Sequence, residues 1–418
     1  MIAENLQIAM LSIHSNPIGA LGTTDTGGMS VYISELAREL GAQGHQVDIY
    51  TRRCNGDHQP VIEHGENVRL IHLSIADNIN LSKRTLYPYL PKFFQSLEEF
   101  RINEKLAYDV IHSHYWLSGR LGTWAQNDWN RPHVVTFHTL GESKNRVGIG
   151  NREPQLRIAN EKELVQTCHR IVVPTERERN SLVRFYGAPA EKVGVVPCGV
   201  NLELFRPEKK RLARGRLGFD AKDIILLYVG RFEPLKGLDI LLEAIACLKS
   251  SDRLRLVIVG GDGEYHHEHQ TLKQKAHKLG ISEKCLFIGP IEQKKLPPYY
   301  HSADVLVIPS RYESFGLVGL EALACGRPVV STPVGAMVDQ LREARAVRVI
   351  PRISPQSLAE EIQSLLADRS LPSTDEIRES ALEYNWSGVA QAIVNEYRAA
   401  IDQKALNNDY AIPAQASG

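Results

Sequence analysis

The sequence predicts an α/β protein in which two doubly wound parallel-sheet domains face each other across a central cleft, and three observations predict it. Short apolar runs rich in β-branched residues alternate with amphipathic helical patterns, as sheets covered by helices on both faces require. The alternation restarts after a polar, Lys/Arg-rich segment from Arg206 to Arg216. The 418 residues, 43% of them hydrophobic, suffice for two separate cores.

Gln7 to Ile13 reads as the first strand. After Gly27-Gly28 a helix is expected from about Ser30, with Ile33, Leu36, Ala37 and Leu40 on one stripe and Gly44 past its end. Further strands are expected at Gln46 to Tyr50, Val68 to His72, Asp109 to His112, His133 to Phe137, Arg170 to Val173 and Val193 to Pro197. The second set is Ile224 to Val229, Leu254 to Val259, Leu286 to Ile288, Asp304 to Ile308 and Pro328 to Ser331. The boundary is set at Phe205-Arg206-Pro207, giving domains of 1–205 and 206–385. A helix from about residue 386 is expected to pack back on the first domain, and residues 407–418, with Ala, Ser, Pro and Gly, read as a frayed tail.

Composition excludes several classes. Lysine plus arginine and aspartate plus glutamate both number 49, so no net field recruits a polyanion such as nucleic acid. The six cysteines are scattered without C-x-x-C spacing, which suits a reducing cytoplasm. No basic run precedes an apolar N-terminal stretch and no window is apolar enough for a membrane span, so a cytoplasmic protein is expected.

Facing doubly wound domains bring the carboxyl ends of both sheets to one cleft, where ligands bind in such folds. At the end of the first strand of the second domain stands G-R-F-E-P-L-K-G, with the cations Arg231 and Lys236 in a strand-to-helix turn, a pair suited to a diphosphate. The bland alternative is a solvated loop. E-S-F-G-L-V-G-L-E follows a later strand and carries Glu313 and Glu321 around Phe315-Gly316. A helix opening near Phe315-Gly316 would aim its first amides, through Leu317 and Val318, into the same cleft as an anion site. Glu313 then precedes the helix, free for sugar hydroxyls, and Glu321 lies within reach of a ribose diol. An exposed helix residue and an N-terminal helix charge would explain either acid alone, but not the whole set.

These two motifs resemble the donor-binding signature of the family-4 retaining glycosyltransferases, which have the GT-B fold of two Rossmann-like domains. The resemblance implies that Arg231 and Lys236 neutralise the donor diphosphate. It implies that Glu313 with the Phe315-Gly316 backbone holds the transferred sugar, and that Glu321 binds the ribose. D-T-G-G-M-S-V-Y at Asp25 to Tyr32, Y-D-V-I-H-S-H-Y-W-L-S-G at Tyr108 to Gly119 and F-H-T-L at Phe137 to Leu140 are similar to one branch of that family. That branch holds the D-inositol-3-phosphate glycosyltransferases and the sucrose-phosphate synthases. Carried over from it, the acceptor phosphate falls to Lys83, Tyr115, Thr139 and Arg157, and His138 is assigned to positioning beside the reacting sugar. Two cations and two hydroxyls suit a phosphomonoester. Met29 stands where the sucrose-making enzymes carry Gln, and Ser30, an acceptor-side candidate, where the inositol-phosphate enzymes carry Asn.

Gly28, with Gly27, would let the first loop approach the donor without a Cβ in the way. No D-x-D motif occurs in the chain, so the cations and helix amides are expected to replace a metal, with no cofactor and a UDP-sugar as co-substrate. Y-H-H-E-H at Tyr265 to His269 lacks a fourth zinc ligand and reads as a solvated loop. G-G-D-G-E at Gly260 to Glu264 reads as a turn at the cleft edge. K-R-T-L-Y-P-Y-L-P-K-F-F at Lys83 to Phe94 reads as an acceptor-side loop and helix.

The expected function is therefore a retaining transfer of glucose or N-acetylglucosamine to inositol phosphate or fructose 6-phosphate. The expected partners are small molecules, neither nucleic acid nor membrane, with a homodimer left open. Two alternatives stand beside it: a peripheral membrane enzyme acting on a phosphoinositol lipid, and a nucleotide-sugar-binding regulator without turnover. A nicotinamide oxidoreductase fits less well, because the first strand leads into D-T-G-G-M-S rather than a full dinucleotide fingerprint.

Overall fold

A computed structural model describes residues 5–18, 27–53, 59–75, 85–248, 252–261, 267–341 and 344–410. In the N-terminal half the strands are β1 (Gln7–Leu11), β2 (Gln46–Arg52), β3 (Val61–Gly65), β4 (Val68–Leu73), β5 (Val110–His114), β6 (His133–Thr136), β7 (Arg170–Val173) and β8 (Val193–Val195). They form one sheet in the order β3-β4-β2-β1-β5-β6-β7-β8, parallel except for the β3–β4 pair. The apolar residues of β1 are buried on both faces, as a central parallel strand demands, with Ile8 opposite Val47 on one side and Val110 on the other.

Around this sheet lie α1 (Gly28–Ala42), α2 (Leu90–Asn103), α3 (Tyr115–Trp129), α4 (Gly141–Val147), α5 (Gln155–Thr167) and α6 (Glu176–Tyr186). The stripe Ile33, Leu36, Ala37 and Leu40 of α1 is fully buried. Thr175 caps α6, its side chain accepting from the Glu178 amide.

The second sheet runs in the order β11-β10-β9-β12-β13-β14, all parallel. Its strands are β9 (Ile224–Val229), β10 (Leu254–Val259), β11 (Cys285–Gly289), β12 (Val305–Ile308), β13 (Val329–Ser331) and β14 (Val347–Val349). The helices of this half are α7 (Lys210–Leu217), α8 (Leu238–Cys247), α9 (His267–Lys278), α10 (Pro297–Ser302), α11 (Leu317–Ala324), α12 (Pro355–Ala367) and α13 (Thr374–Leu382). The last helix, α14 (Trp386–Tyr410), packs against α1, β6 and β7 of the first domain. Arg170 of β7 holds Glu396 of α14 at 2.5 and 2.8 Å, and Tyr397 bonds His112 at 2.7 Å. The two crossovers run side by side, with Val200 bridged to Asn385 and Arg378 donating to the carbonyls of Leu202, Phe205 and Ala324.

Several elements differ from the sequence reading. β1 stops at Leu11 rather than Ile13, although the Ser12 amide still reaches the Tyr50 carbonyl at 2.8 Å. β3 is a half-exposed hairpin strand and β14 a three-residue edge strand, both too short to show a periodicity. The helix α1 opens at Gly28, two residues early. Tyr265 and His266 lie outside the described residues. The rest of Y-H-H-E-H opens α9 rather than a solvated loop, with His269 buried against the rings of Phe232 and Phe287. Among the described residues no helix is long and apolar enough to cross a membrane.

Candidate active site

Two loops of the second domain are pressed together by a glycine. Gly237 takes φ +67°, and a Cβ there would lie 2.0 Å from the carbonyl oxygen of Pro309, so only glycine lets the turn after β9 touch the loop after β12. That contact delivers Lys236 to Glu313, with Nζ at 2.7 and 2.9 Å from the two carboxylate oxygens. Ser310 Oγ donates to the same carboxylate at 2.8 Å. Arg231 pairs with Glu233 at 2.8 Å, and its Nε lies 3.9 Å from the place a Cβ on Gly27 would take, across the cleft.

The loop after β12 turns at Gly316, φ +98°, and α11 begins at Leu317, slightly later than the sequence suggests. The first-turn amides of Leu317 and Val318 have no intrahelical acceptor and both residues line the cleft. The Phe315 ring is buried in the core and its carbonyl accepts from the Ala336 amide at 2.8 Å. Glu321 is buried in α11. Its oxygens accept from Tyr300 Oη at 2.6 Å and Gln293 Nε2 at 3.0 Å, and burial pushes its carboxyl up to about 7.

The first domain contributes the ends of β5 and β6 and the start of α1. Gly27, Gly28 and Met29 line the cleft, whereas Ser30 turns inward to Ser15, 2.7 Å between hydroxyls. Tyr115 and His138, at the ends of adjacent strands, take φ +74° and +59°. Left-handed backbone costs a non-glycine residue of order 1–3 kcal/mol, and such strain clusters at functional sites. His138 Nε2 shares a 2.9 Å hydrogen bond with His114 Nδ1, and burial holds His138 down at about 3, so the ring is neutral.

Thr139 lines the cleft beside Tyr115, but Arg157 stands behind them, 1% exposed. Its guanidinium is filled from within. Nε meets Glu161 at 2.6 Å, Nη1 meets Glu153 at 2.9 Å, and Nη2 donates to the carbonyl and hydroxyl of Thr139 at 2.6 and 3.0 Å. The Arg157 cation also lies 4.8 Å from the Tyr115 ring centroid. Lys144 of α4 fronts the cleft instead, paired with Glu153. Burial works to raise Glu153, but Arg157 and Lys144 prevail and hold it at about 2. Lys83 and Asp25 lie outside the described residues.

Contacts between the domains close the far side. The Leu140 amide donates to Tyr312 Oη at 3.3 Å, and Ser314 Oγ donates to Glu178 of α6. The other Glu178 oxygen is buried without a partner, and burial pushes this carboxyl up to about 7.

One cavity of about 280 Å³ thus collects Arg231, Lys236, Glu313, Glu321 and residues 315–318 from one sheet, and Gly28, Tyr115, His138 and Thr139 from the other. A wider basin of about 700 Å³ lies by the opposite, amino ends of β9 to β11. Its position at the wrong end of the strands argues against a catalytic role. The sequence reading missed Lys144, Tyr312, His114 and Glu178. Lys144 lies five residues after Thr139 in F-H-T-L-G-E-S-K, Tyr312 next to Glu313 and His114 next to Tyr115, so these three adjoin residues the sequence singled out, while Glu178 reaches the site only through a contact between distant segments.

Comparison with known proteins gives matches along the chain. Residues 26–204 match the family model "Glycosyltransferase Family 4" and residues 209–384 the model "Glycosyl transferases group 1". The D-inositol 3-phosphate glycosyltransferase of Geodermatophilus obscurus is 38% identical over 416 residues, spanning 97% of this chain and 92% of that one. The Corynebacterium glutamicum enzyme of the same name is 33% identical over 97% of this chain and 99% of its own. Among solved structures, the sucrose-phosphate synthase of Thermosynechococcus elongatus superposes with a TM-score of 0.87 at 31% identity, covering 94% and 98% of the two chains. Anabaena HepE, solved with UDP and glucose, shares the fold at a TM-score of 0.74 and 18% identity, over 94% and 100% of the two chains.

Proposed function

Because the chain belongs to the family-4 glycosyltransferases, with the GT-B fold, we propose that it moves glucose or N-acetylglucosamine from a UDP-sugar to a phosphorylated polyol or sugar. Retention at the anomeric carbon and independence of metal belong to the same proposal. The observation that carries it is the convergence of Arg231, Lys236, Glu313 and Glu321 with Tyr115, His138 and Thr139 on one cleft between the carboxyl ends of two sheets.

Each group has a part in this reading. The bond from the anomeric carbon to the diphosphate breaks, and negative charge grows on the leaving oxygen. Arg231, Lys236 and the amides of Leu317 and Val318 stabilise it, at roughly 1.5–3 kcal/mol for each charge-assisted hydrogen bond. Glu313 accepts from the sugar hydroxyls and Glu321 from the ribose. The acceptor hydroxyl attacks from the face the diphosphate leaves, and its proton passes to the departing phosphate oxygen. Tyr115, Thr139 and Lys144 face the acceptor's phosphate, with Arg157 supporting them from behind. The names of the similar proteins favour such an acceptor, since both the inositol 3-phosphate and the sucrose-phosphate enzymes are named for phosphorylated compounds.

A screen of UDP-glucose, UDP-N-acetylglucosamine and GDP-mannose against inositol phosphate and fructose 6-phosphate tests the reading, with the product's anomeric configuration read by NMR. One UDP-sugar with one phosphorylated acceptor should give a product of unchanged configuration. Transfer confined to GDP-mannose, to a non-phosphorylated acceptor, or with inversion would overturn it.

A further inference from the structure

We propose that His114 is a positioning residue that donates its Nδ1 hydrogen to His138 Nε2. His138 then carries its own hydrogen on Nδ1 and offers it in the cleft to a hydroxyl oxygen of the transferred group. The assignment of the hydrogens stands on the protein alone, while the ligand they serve rests on the transfer reading above.

A neutral imidazole has one donor nitrogen and one acceptor, so the 2.9 Å contact between His114 Nδ1 and His138 Nε2 admits two arrangements. If His138 donated, His114 would have to carry its hydrogen on Nε2. That atom is buried and has no hydrogen-bond partner. A buried, orphaned N–H is rarer in folded proteins than an unsatisfied acceptor, so the reverse arrangement wins: His114 donates and leaves a bare lone pair at Nε2. A charged pair is ruled out by burial, which lowers both imidazoles far below their ordinary value.

The surroundings hold this geometry. His114 is fully buried and its ring lies 4.2 Å from that of His112. His112 is itself fixed at both nitrogens, by Tyr397 Oη at 2.7 Å and Thr136 Oγ1 at 2.9 Å. Tyr32 packs edge-on against His114 and His138 together. With Nε2 engaged, Nδ1 is the nitrogen of His138 left for a ligand, in a residue that lines the cavity. Glu313 and Glu321 supply acceptors to the site, and a neutral N–H complements them without adding charge beside the cationic diphosphate subsite.

Long-range 15N–1H correlation on histidine-labelled wild-type protein reads the hydrogen's position, with His138→Asn assigning the signal and neutron diffraction of wild-type crystals serving where that variant does not fold. The expected result is a protonated Nδ1 and a bare Nε2 on His138. The amide of His114→Asn can still donate to His138, so that variant should keep the pattern and a kcat within about threefold. His114→Asp presents only an acceptor, so it should draw the hydrogen to His138 Nε2 and lower kcat about tenfold or more, with the acceptor's KM little changed. Wild-type His138 protonated on Nε2 would overturn the assignment, and an unchanged pattern in His114→Asp would remove His114 from the role. Where the substrate screen finds no transfer, the resonances still decide the hydrogen positions, so the two readings fail separately.

Discussion

Lys236 Nζ lies within 2.9 Å of both carboxylate oxygens of Glu313, tying the loop after β9 to the loop after β12. On the transfer proposed above, each residue would hold the other in place until the donor binds, when Lys236 would turn part of its charge to the diphosphate. Replacing either with Ala should lower kcat about a hundred- to a thousandfold, the loss seen when one preorganised donor is removed from a transition state. The double variant should lose less than the product of the two, because contacting residues act as a unit. Initial-rate kinetics on the three variants check this, and near-normal turnover by Glu313→Ala would take that residue out of the donor site.

Arg157 should show itself first in stability. Its guanidinium compensates Glu161, whose side chain is wholly buried, and Glu153. Arg157→Met leaves the buried Glu161 without its cation, while Glu153 keeps Lys144, and breaking such a buried pair costs about 3–5 kcal/mol. Denaturant melts should record the loss. Lys144→Met should fold nearly as well and raise the KM for a phosphorylated acceptor about tenfold or more, as expected for one lost charge-assisted contact. A stable Arg157→Met with a raised acceptor KM would move Arg157 from support to direct contact.

Much of the fold was legible because parallel strands buried on both faces leave near-continuous apolar runs, as Ile224 to Val229 and Leu254 to Val259 do. The motifs around Arg231, Lys236, Glu313 and Glu321 were legible for a related reason: each follows such a run directly, so strand position gave cleft position. Ser30 and Arg157 show where that logic stops. The family resemblance put both at the site, yet Ser30 turns to Ser15 and Arg157 is enclosed by two glutamates, choices made by side-chain packing. The His114–His138 pair was hidden too, since it depends on β5 and β6 being neighbours and on the left-handed backbone of His138, which carries no sequence mark.

Metal independence is open to a direct check. Arg231, Lys236 and the first residues of α11 line the same cleft, where on the proposed reaction they would offset the charge of the leaving group. Transfer rates should be unchanged after dialysis against EDTA. Activity lost in EDTA and restored by Mg²⁺ or Mn²⁺ would show that these groups do not suffice.

Glu178 links stability to pH through the domain interface. One of its oxygens accepts from Ser314, the other is buried without a partner, and the carboxyl is pushed from 4.5 to about 7 by burial, against the hydrogen bond from Ser314 and with a smaller push from Glu161. A raised carboxyl binds its proton more tightly in the folded chain. Its contribution to stability is therefore full below about pH 4.5 and is lost as pH rises through about 7. Glu178→Gln keeps the shape and the contact to Ser314 but cannot ionise, so it should match the wild type at pH 4.5 and melt higher at pH 8. The gap should widen through that window and then level off, at no more than roughly 3 kcal/mol. Thermal melts of both proteins between pH 4.5 and 8.5 measure it. A constant difference across the range would mean that Glu178 stays ionised, with its second oxygen reaching water as the domains move apart.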